Sequence, residues 1–453
     1  MNKVHFIAIG GAVMHNLALA LHHKGFIVTG SDDEFFEPSK SRLANAGLLP
    51  QTTGWHAERI TPDLDAVILG MHAREDNPEL IEARRLGIKV YSFPEYLYQQ
   101  TRNKIRVVVG GSHGKTTTTS MIMHVLRTLG KDFDYMVGAQ IEGFDTMVRL
   151  TEEAPVAIFE GDEYLSSPLD LTPKFHRYKP HVALLTGIAW DHINVFPTWD
   201  NYVSQFATFA QTIEQDGSLV YFNGDEQLCK IAQQLRSDIK VLPYAGLDYC
   251  LNGDTTVVTY EGQQYNINVF GKHNMQNMHG AMLACMQIGV APHDFLRAIE
   301  SFSGAAKRLQ KLKETTSSVA YLDFAHSPSK LKATTEAVRE RYPNRKLVAV
   351  MELHTFSSLT KAFLPQYAHT MDAADMAYVY FNPEVVAHKR LEEFDIEAVE
   401  KAFENKSLKV YTDSAALKNE IQSIDYTDSV LLIMTSGNFS GIDIKSLAEE
   451  TIK

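Results

Sequence analysis

An α/β fold of three domains is what this sequence predicts, and three observations carry the prediction. Apolar runs of strand length alternate with helical stretches along the whole chain. At 453 residues the chain exceeds what one ordinary core organises. The strand-helix series also restarts twice, after the polar stretch Gln99–Lys104 and after Gly304–Gln310. In the first hundred residues the strand-like runs are Val4–Ile9, Phe26–Thr29, Ala66–Leu69 and Val90–Ser92, with a helix expected around Leu17–His23. Such alternation gives a parallel sheet covered by helices. A second unit opens at Ile105–Val109, beyond Gln99–Lys104 read as a linker, and continues through Val156–Phe159 and Val182–Thr186. These short continuous apolar runs suit strands buried on both faces. A third unit carries Val319–Phe324, Leu347–Met351 and Val430–Met434. The expected divisions are 1–103, 104–308 and 309–453.

Composition excludes several classes. With 45% hydrophobic and 22% charged residues the chain has the balance of a globular protein, not of a disordered or fibrous one. A formal net charge of −12 opposes broad phosphate-backbone binding, so nucleic acid is not an expected partner. Cys229, Cys250 and Cys285 have neither CxxC spacing nor paired histidines, which argues against a disulfide framework or structural zinc and fits a reducing cytoplasm. No apolar run approaches the roughly 18 residues of a membrane span, and the apolar start Phe6–Met14 is broken by His15 and Asn16 without a cleavage pattern. A cytoplasmic protein without a membrane partner is expected.

The strongest chemical signal is Val107–Thr119, VVVGGSHGKTTTT. A strand runs into a glycine-rich turn, and Lys115 and Thr116 open a helix, so backbone N–H groups and a helix N-terminus converge on one point suited to a polyphosphate. Lys115 is positioned for the β and γ phosphates and the Thr116 hydroxyl for Mg²⁺. The loop is one residue tighter than GxxxxGK[ST], because Val109 stands six before Lys115 and the glycines are Gly110 and Gly111. Downstream, Phe159–Tyr164 (FEGDEY) places Glu160 at the end of a buried strand, where α/β ATPases need a hard oxygen ligand. Asp162 and Glu163 fit a solvated acidic turn better than Glu160 does.

The compact loop with histidine before Gly-Lys-Thr resembles that of the Mur ligase family, and further motifs occur in the family's order. Glu160 lies in a block similar to the family's Glu-Ala-Asp-Glu, which implies that it binds Mg²⁺, and Gly187–His192 (GIAWDH) resembles the family's Asp-His pair, which implies that His192 holds a second Mg²⁺. Gly271–Asn277 (GKHNMQN) resembles the Gly-x-His-Asn-x-x-Asn signature, with Asn274 on adenine and Asn277 supporting it. The two share one helix face at i and i+3. Arg308 resembles the basic element at the domain junction. Leu322–Pro328 (LDFAHSP) resembles Asp-Tyr-Ala-His-x-Pro, with Asp323 near the ATP ribose and His326 near phosphate.

In the first unit a dinucleotide fingerprint would need glycine where Ala8 and Val13 stand, which removes NAD from consideration. The segment Ile7–Met14, with Gly30–Asp32, instead resembles the family's UDP-binding loops with two glycines replaced, and Gly70–Pro78 resembles the next such loop. His15, His22 and His23 lack helix-face metal spacing and read as ordinary polar residues.

The resemblance covers nearly the whole chain and implies a Rossmann-like UDP-binding domain, a central P-loop ATPase domain with a mostly parallel sheet and a C-terminal Rossmann-like α/β domain. It implies catalysis by Lys115, Glu160 and His192, with metal on Thr116, Glu160 and His192. ATP would be held by Ser112, His113, Gly114, Lys115, Thr116, Thr117, Asn274, Asn277, Arg308, Asp323 and His326, and UDP by Gly10, Gly11, Ser31, Asp32 and His72. The implied reaction uses ATP and Mg²⁺ to join the carboxylate of UDP-N-acetylmuramate to an amine through an acyl phosphate, in peptidoglycan metabolism. No lysine lies between Lys179 and Lys230, so the modified lysine of many members is absent, as in those that add L-alanine or attach the recovered tripeptide L-Ala-γ-D-Glu-meso-diaminopimelate. Met351–Ser358 (MELHTFSS) lacks the arginines of the alanine-adding subgroup, and Glu163–Tyr164 with Pro173–Phe175 look more like the tripeptide-attaching one. The tripeptide is therefore the expected donor, with L-alanine the alternative. A GTPase switch is disfavoured by the lack of an Asn-Lys-x-Asp element, and a non-catalytic nucleotide-binding regulator by three separate ATP-site motifs.

Overall fold

Most strands of the parallel sheets form where the sequence runs apolar. The computed structural model describes residues 2–71, 73–253, 255–305 and 307–453. Contacts divide the chain into two compact units: 1–188 with 200–245 and 280–298, and 189–199 with 246–279 and 299–453.

In the first unit, β1 (Lys3–Ile7), β2 (Ile27–Ser31), β3 (Ala66–Leu69) and β4 (Val90–Ser92) form a parallel sheet in the order β2-β1-β3-β4. The expected run to Ile9 stops at Ile7 because Ala8 turns the backbone to φ +67°. Polar residues start the covering helices. Asn77 accepts the Glu79 and Leu80 amides at the head of helix Pro78–Arg85, and Ser92 with Glu95 forms a capping box on helix Phe93–Thr101. The second sheet contains β5 (Ile105–Gly110), β6 (Asp134–Met136), β7 (Val148–Arg149), β8 (Val156–Gly161), β9 (Val182–Leu185), β10 (Ser218–Phe222) and β11 (Lys240–Tyr244). Their order is β11-β10-β9-β5-β8-β6-β7, with only the edge strand β7 antiparallel. Strand β5 sits between β9 and β8, and Val107, Val108 and Val109 are fully buried. Its C-terminal end therefore opens at the middle of the sheet, where parallel α/β folds hold ligands.

The stretch expected as a linker is held by buried hydrogen bonds. Gln99–Thr101 is the last turn of a helix, and the fully buried Arg106 ties down the residues between that helix and β5. Its guanidinium donates to the carbonyls of Thr101, Arg102 and Lys104 at 3.0 Å each, to those of Tyr178 and Lys179 at 2.9 and 3.0 Å, and to Glu214 at 2.9 Å. Lys104 is tied in turn to Asp134 and to the Thr151 carbonyl.

The second unit holds a three-stranded antiparallel sheet, β12 (Tyr249–Asn252), β13 (Thr255–Tyr260) and β14 (Gln263–Ile267), which lies outside the sequence expectations. Its larger sheet has β15 (Gln310–Glu314), β16 (Val319–Asp323), β17 (Lys346–Leu353), β18 (Met376–Phe381), β19 (Leu408–Tyr411) and β20 (Ser429–Met434), in the order β15-β16-β20-β17-β18-β19 and parallel except for β15. Alternate residues of β17 enter two cores, Leu347, Ala349 and Met351 on one face and Val348 and Val350 on the other. Burial on both faces explains the continuous apolar run. The architecture is thus mixed α/β with mostly parallel sheets, as expected. No helix among the described residues is long and apolar enough to cross a membrane, and the three cysteines are free.

Replacing Arg106 by Met would strand at least three buried carbonyls. This variant is expected to lose about 3 kcal/mol of stability, read from the urea unfolding midpoint, whereas exposed Arg102→Met should shift it by less than about 0.5 kcal/mol.

Candidate active site

The glycine-rich turn after β5 is held by the backbone of the neighbouring strand end. Ser112 N donates to the Gly187 carbonyl at 2.9 Å, Thr186 N to the Gly110 carbonyl at 3.1 Å, and the Thr186 hydroxyl to the His113 carbonyl. Gly111 adopts φ +135°, and a Cβ there would lie 2.1 Å from the Thr186 hydroxyl, so no other residue fits. Gly114, at φ +80°, turns the chain into helix Lys115–Thr128. Asp225 fixes the other side by accepting the Ile188 amide at 2.6 Å while capping its own helix. The sequence-predicted Ser112, His113, Gly114, Lys115, Thr116 and Thr117 are thereby gathered at one helix N-terminus.

Two carboxylates face that turn. Glu160, at the end of β8, accepts the Thr116 hydroxyl at 2.8 Å on one oxygen and the Gly138 amide at 3.0 Å on the other. Glu163 is fully buried, which rules out for it the alternative of a solvated acidic turn. It accepts Lys115 Nζ at 2.6 Å and the Tyr202 hydroxyl at 3.0 Å, and that hydroxyl also bonds Ser112 at 2.8 Å. Lys115 Nζ donates as well to the Gly111 carbonyl at 2.6 Å. Burial opposes the charge on Lys115, but Glu163, Asp162 and Glu160 outweigh it and hold the ammonium above its ordinary range. Tyr202 was invisible to sequence reasoning, since an aromatic residue on the amphipathic helix Trp199–Gln211 looks like simple core.

Among the described residues no cluster of three or more His, Cys, Asp or Glu side chains could hold a metal. Magnesium at a phosphate site needs only one or two protein oxygens, the remainder being phosphate and water. The adjacent Glu160 carboxylate and Thr116 hydroxyl fit that requirement.

The first-unit loop is built similarly. Ala8 N and Ile9 N donate to the Ser31 carbonyl at 2.9 and 3.1 Å, and Gly10 N donates to Asp32 at 2.7 Å. Ala8 takes the left-handed backbone that a glycine would favour, and Val13 lies within helix Ala12–His23, so the turn survives both replacements. Burial raises the Asp32 carboxyl to about 6. The Ser31 hydroxyl donates to Glu79 at 2.5 Å and accepts from Arg59 at 2.6 Å. Glu79 is fully buried, and also meets His5 Nε2 at 3.2 Å and the His56 amide at 2.8 Å. Gly10, Gly11, Ser31 and Asp32 thus share the C-terminal ends of β1 and β2. His72 lies outside the described residues.

In the second unit, Asp191 accepts the His192 amide at 2.8 Å and the Ser357 hydroxyl at 3.5 Å. Its burial is outweighed by His192, Lys330 and His326, which keep the carboxyl below its ordinary range. Burial, aided by Lys330 and opposed by Asp191, lowers the His326 imidazole to about 3. Asp323 commits its oxygens to the local backbone, accepting Leu309 N and Ala325 N at 2.7 Å each. It thereby fixes the turn carrying Arg308, whose guanidinium stacks 4.8 Å over the Phe324 ring. Asn274 and Asn277 are both buried on helix Lys272–Met286, and Asn274 donates to the Phe270 carbonyl at 2.8 Å. Of the groups in the Met351–Ser358 block, Ser357 and Ser358 are buried, Ser358 bonding within its own turn, while the His354 side chain is 42% exposed beside buried Glu352.

Three family models match successive stretches of the chain: the catalytic domain of the Mur ligase family over residues 3–104, the Mur ligase middle domain over 109–285 and the Mur ligase glutamate ligase domain over 307–437. A UDP-N-acetylmuramate–L-alanine ligase of Arthrobacter sp. (strain FB24) is 31% identical over 392 residues, covering 84% of this chain and 81% of that protein. Two solved structures are similar. One is a murein peptide ligase from Psychrobacter arcticus 273-4, 22% identical at a TM-score of 0.65 and covering 100% and 99% of the two chains. The other is a UDP-N-acetylmuramate:L-alanyl-gamma-D-glutamyl-meso-diaminopimelate ligase from Neisseria meningitides, 25% identical at a TM-score of 0.60 and covering 67% and 98%. The chain therefore belongs to the Mur ligase family of ATP-dependent ligases that form amide C–N bonds.

Proposed function

We propose that the chain joins the lactyl carboxylate of UDP-N-acetylmuramate to the amine of L-Ala-γ-D-Glu-meso-diaminopimelate, in the recycling of peptidoglycan. The observation that carries the ATP-driven part is the preorganised turn 110–116, with Lys115 held at the helix mouth by Glu163. In the first step a carboxylate oxygen attacks the γ phosphorus and ADP leaves; in the second the donor amine attacks the acyl carbon, its nitrogen gives up a proton and phosphate leaves. Ser112, His113, Gly114, Thr116 and Thr117 offer amides and hydroxyls to the polyphosphate, and Lys115 supplies the charge that such a transfer needs at its oxygens. Glu160, Thr116 and His192 would hold magnesium, which when bound neutralises phosphoryl charge. Asn274 and Asn277 are assigned to adenine, Arg308, Asp323 and His326 to the nucleotide, and Gly10, Gly11, Ser31, Asp32 and His72 to UDP. With these roles go the domains 1–103, 104–308 and 309–453.

The donor assignment rests on Met351–Ser358. Without arginines this block has no clamp for the carboxylate of a single alanine, and exposed His354 suits hydrogen bonding to a longer peptide. Binding along such a peptide helps position its amine. L-alanine is the second reading, favoured by the 31% identical relative that bears that activity in its name.

Two results are expected. Lys115→Ala should reduce ligation by roughly a thousand-fold and, by taking the ammonium from the buried Glu163 carboxylate, lower stability by about 3 kcal/mol. In the double variant Lys115→Met, Glu163→Gln, stability should recover while ligation does not; recovery of both would remove Lys115 from the chemistry. Phosphate release from ATP and UDP-N-acetylmuramate, with tripeptide and L-alanine offered separately, should give a kcat/KM at least about tenfold higher for the tripeptide. A preference for L-alanine would replace the donor and leave the ATP chemistry standing.

A further inference from the structure

Helix Ala12–His23 begins in the proposed UDP loop, and two polar side chains of its first turns are buried, His15 at 2% exposure and Asn16 at 0%. Both polar residues are fully bonded. His15 Nδ1 lies 2.9 Å from the Gly11 carbonyl, which has no proton to give, so Nδ1 carries the hydrogen and Nε2 accepts. Asn16 Nδ2 supplies that acceptor at 3.0 Å and the Ala12 carbonyl at 2.7 Å. With both amide hydrogens committed, the Asn16 oxygen points outward, and it accepts the Met147 amide at 3.0 Å and Arg42 at 3.5 Å. The arrangement requires a neutral imidazole, and burial holds His15 below its ordinary value, with Arg42 acting in the same direction.

Met147 is not an ordinary hairpin residue. Its carbonyl accepts Val137 N at 3.0 Å, the next amide, Gly138 N, donates to Glu160 at 3.0 Å, and the other Glu160 oxygen accepts the Thr116 hydroxyl at 2.8 Å. Hydrogen bonds, joined by the backbone of Met147 and of Val137–Gly138, thus connect the Gly10–Gly11 turn through His15 and Asn16 to the Glu160–Thr116 pair. We infer that Asn16 is a positioning residue that couples occupancy of the UDP loop to the Glu160–Thr116 site, so that bound UDP-N-acetylmuramate tightens the site for magnesium nucleotide. The inference rests on the proposed roles of those two sites. Its mechanism is geometric: a shift of the Gly11 carbonyl rotates His15, which moves the acceptor that orients the Asn16 amide, and thereby loads or slackens the Met147–Gly138 connection.

The test is calorimetric titration of the full chain with the Mg²⁺ complex of a non-hydrolysable ATP analogue, with and without saturating UDP-N-acetylmuramate. The wild type should bind the analogue about fivefold or more tightly when the UDP compound is present. In Asn16→Leu, which keeps the volume and removes the acceptor, that factor should fall below about twofold. A folded Asn16→Leu that retains the wild-type factor, or a wild type that binds both ligands independently, overturns the inference. A wild type that does not bind UDP-N-acetylmuramate at all overturns the reading of the Gly10–Gly11 loop itself, and the inference with it. Should Asn16→Leu not fold, amide hydrogen exchange on the wild type decides: UDP-N-acetylmuramate alone should slow exchange across 137–147, and unchanged exchange there refutes the coupling.

Discussion

A carboxylate shut away from water needs partners, and the rest of the phosphate site depends on how Glu163 finds them. Fully buried, it accepts from Lys115 on one oxygen and from Tyr202 on the other. The Tyr202 hydroxyl reaches on to Ser112, so one buried charge fixes both the lysine and the opening of the turn. Isolated, such a charge would cost several kcal/mol; paired, it sets the positions of groups that must meet phosphate without reorganising. The glycine requirement at Gly111 is steric and separate, because the turn presses against Thr186 closely enough to exclude a Cβ.

Much of this was legible in the sequence. Continuous apolar runs such as Ala66–Leu69 and Val430–Met434 are strands because both faces of a parallel sheet are covered, and the glycine-rich turn sits where a strand meets a helix. Strand ends were legible only approximately, since they are decided by single turn residues such as Ala8. The antiparallel sheet β12–β14 was missed because its strands mix polar with apolar residues and carry no long apolar run.

Less of the site was legible, for a consistent physical reason. For Glu163 a solvated acidic turn stayed open as an alternative, and its burial becomes apparent only when Lys115 and Tyr202, 48 residues before it and 39 after it, are seen to converge. Arg106 read as part of a strand beside a linker, although it binds three carbonyls of that linker and ties them to those of Tyr178 and Lys179. His15 read as an ordinary polar residue and Asn16 as a break in the apolar start, yet their bonds connect the first-unit loop to the Met147 hairpin. Periodicity shows which residues are buried among apolar neighbours; polar residues buried against distant partners leave no such trace.

The central claim is that ATP drives formation of an acyl phosphate from a carboxylate held beside the 110–116 turn. It is tested most directly by labelling both carboxylate oxygens of the lactyl group of UDP-N-acetylmuramate with ¹⁸O and allowing one turnover with ATP and the tripeptide donor. Transfer of one ¹⁸O into the released phosphate is the predicted result, because the oxygen that attacks phosphorus leaves with it when the amine adds. Amide formation with unlabelled phosphate would contradict the account.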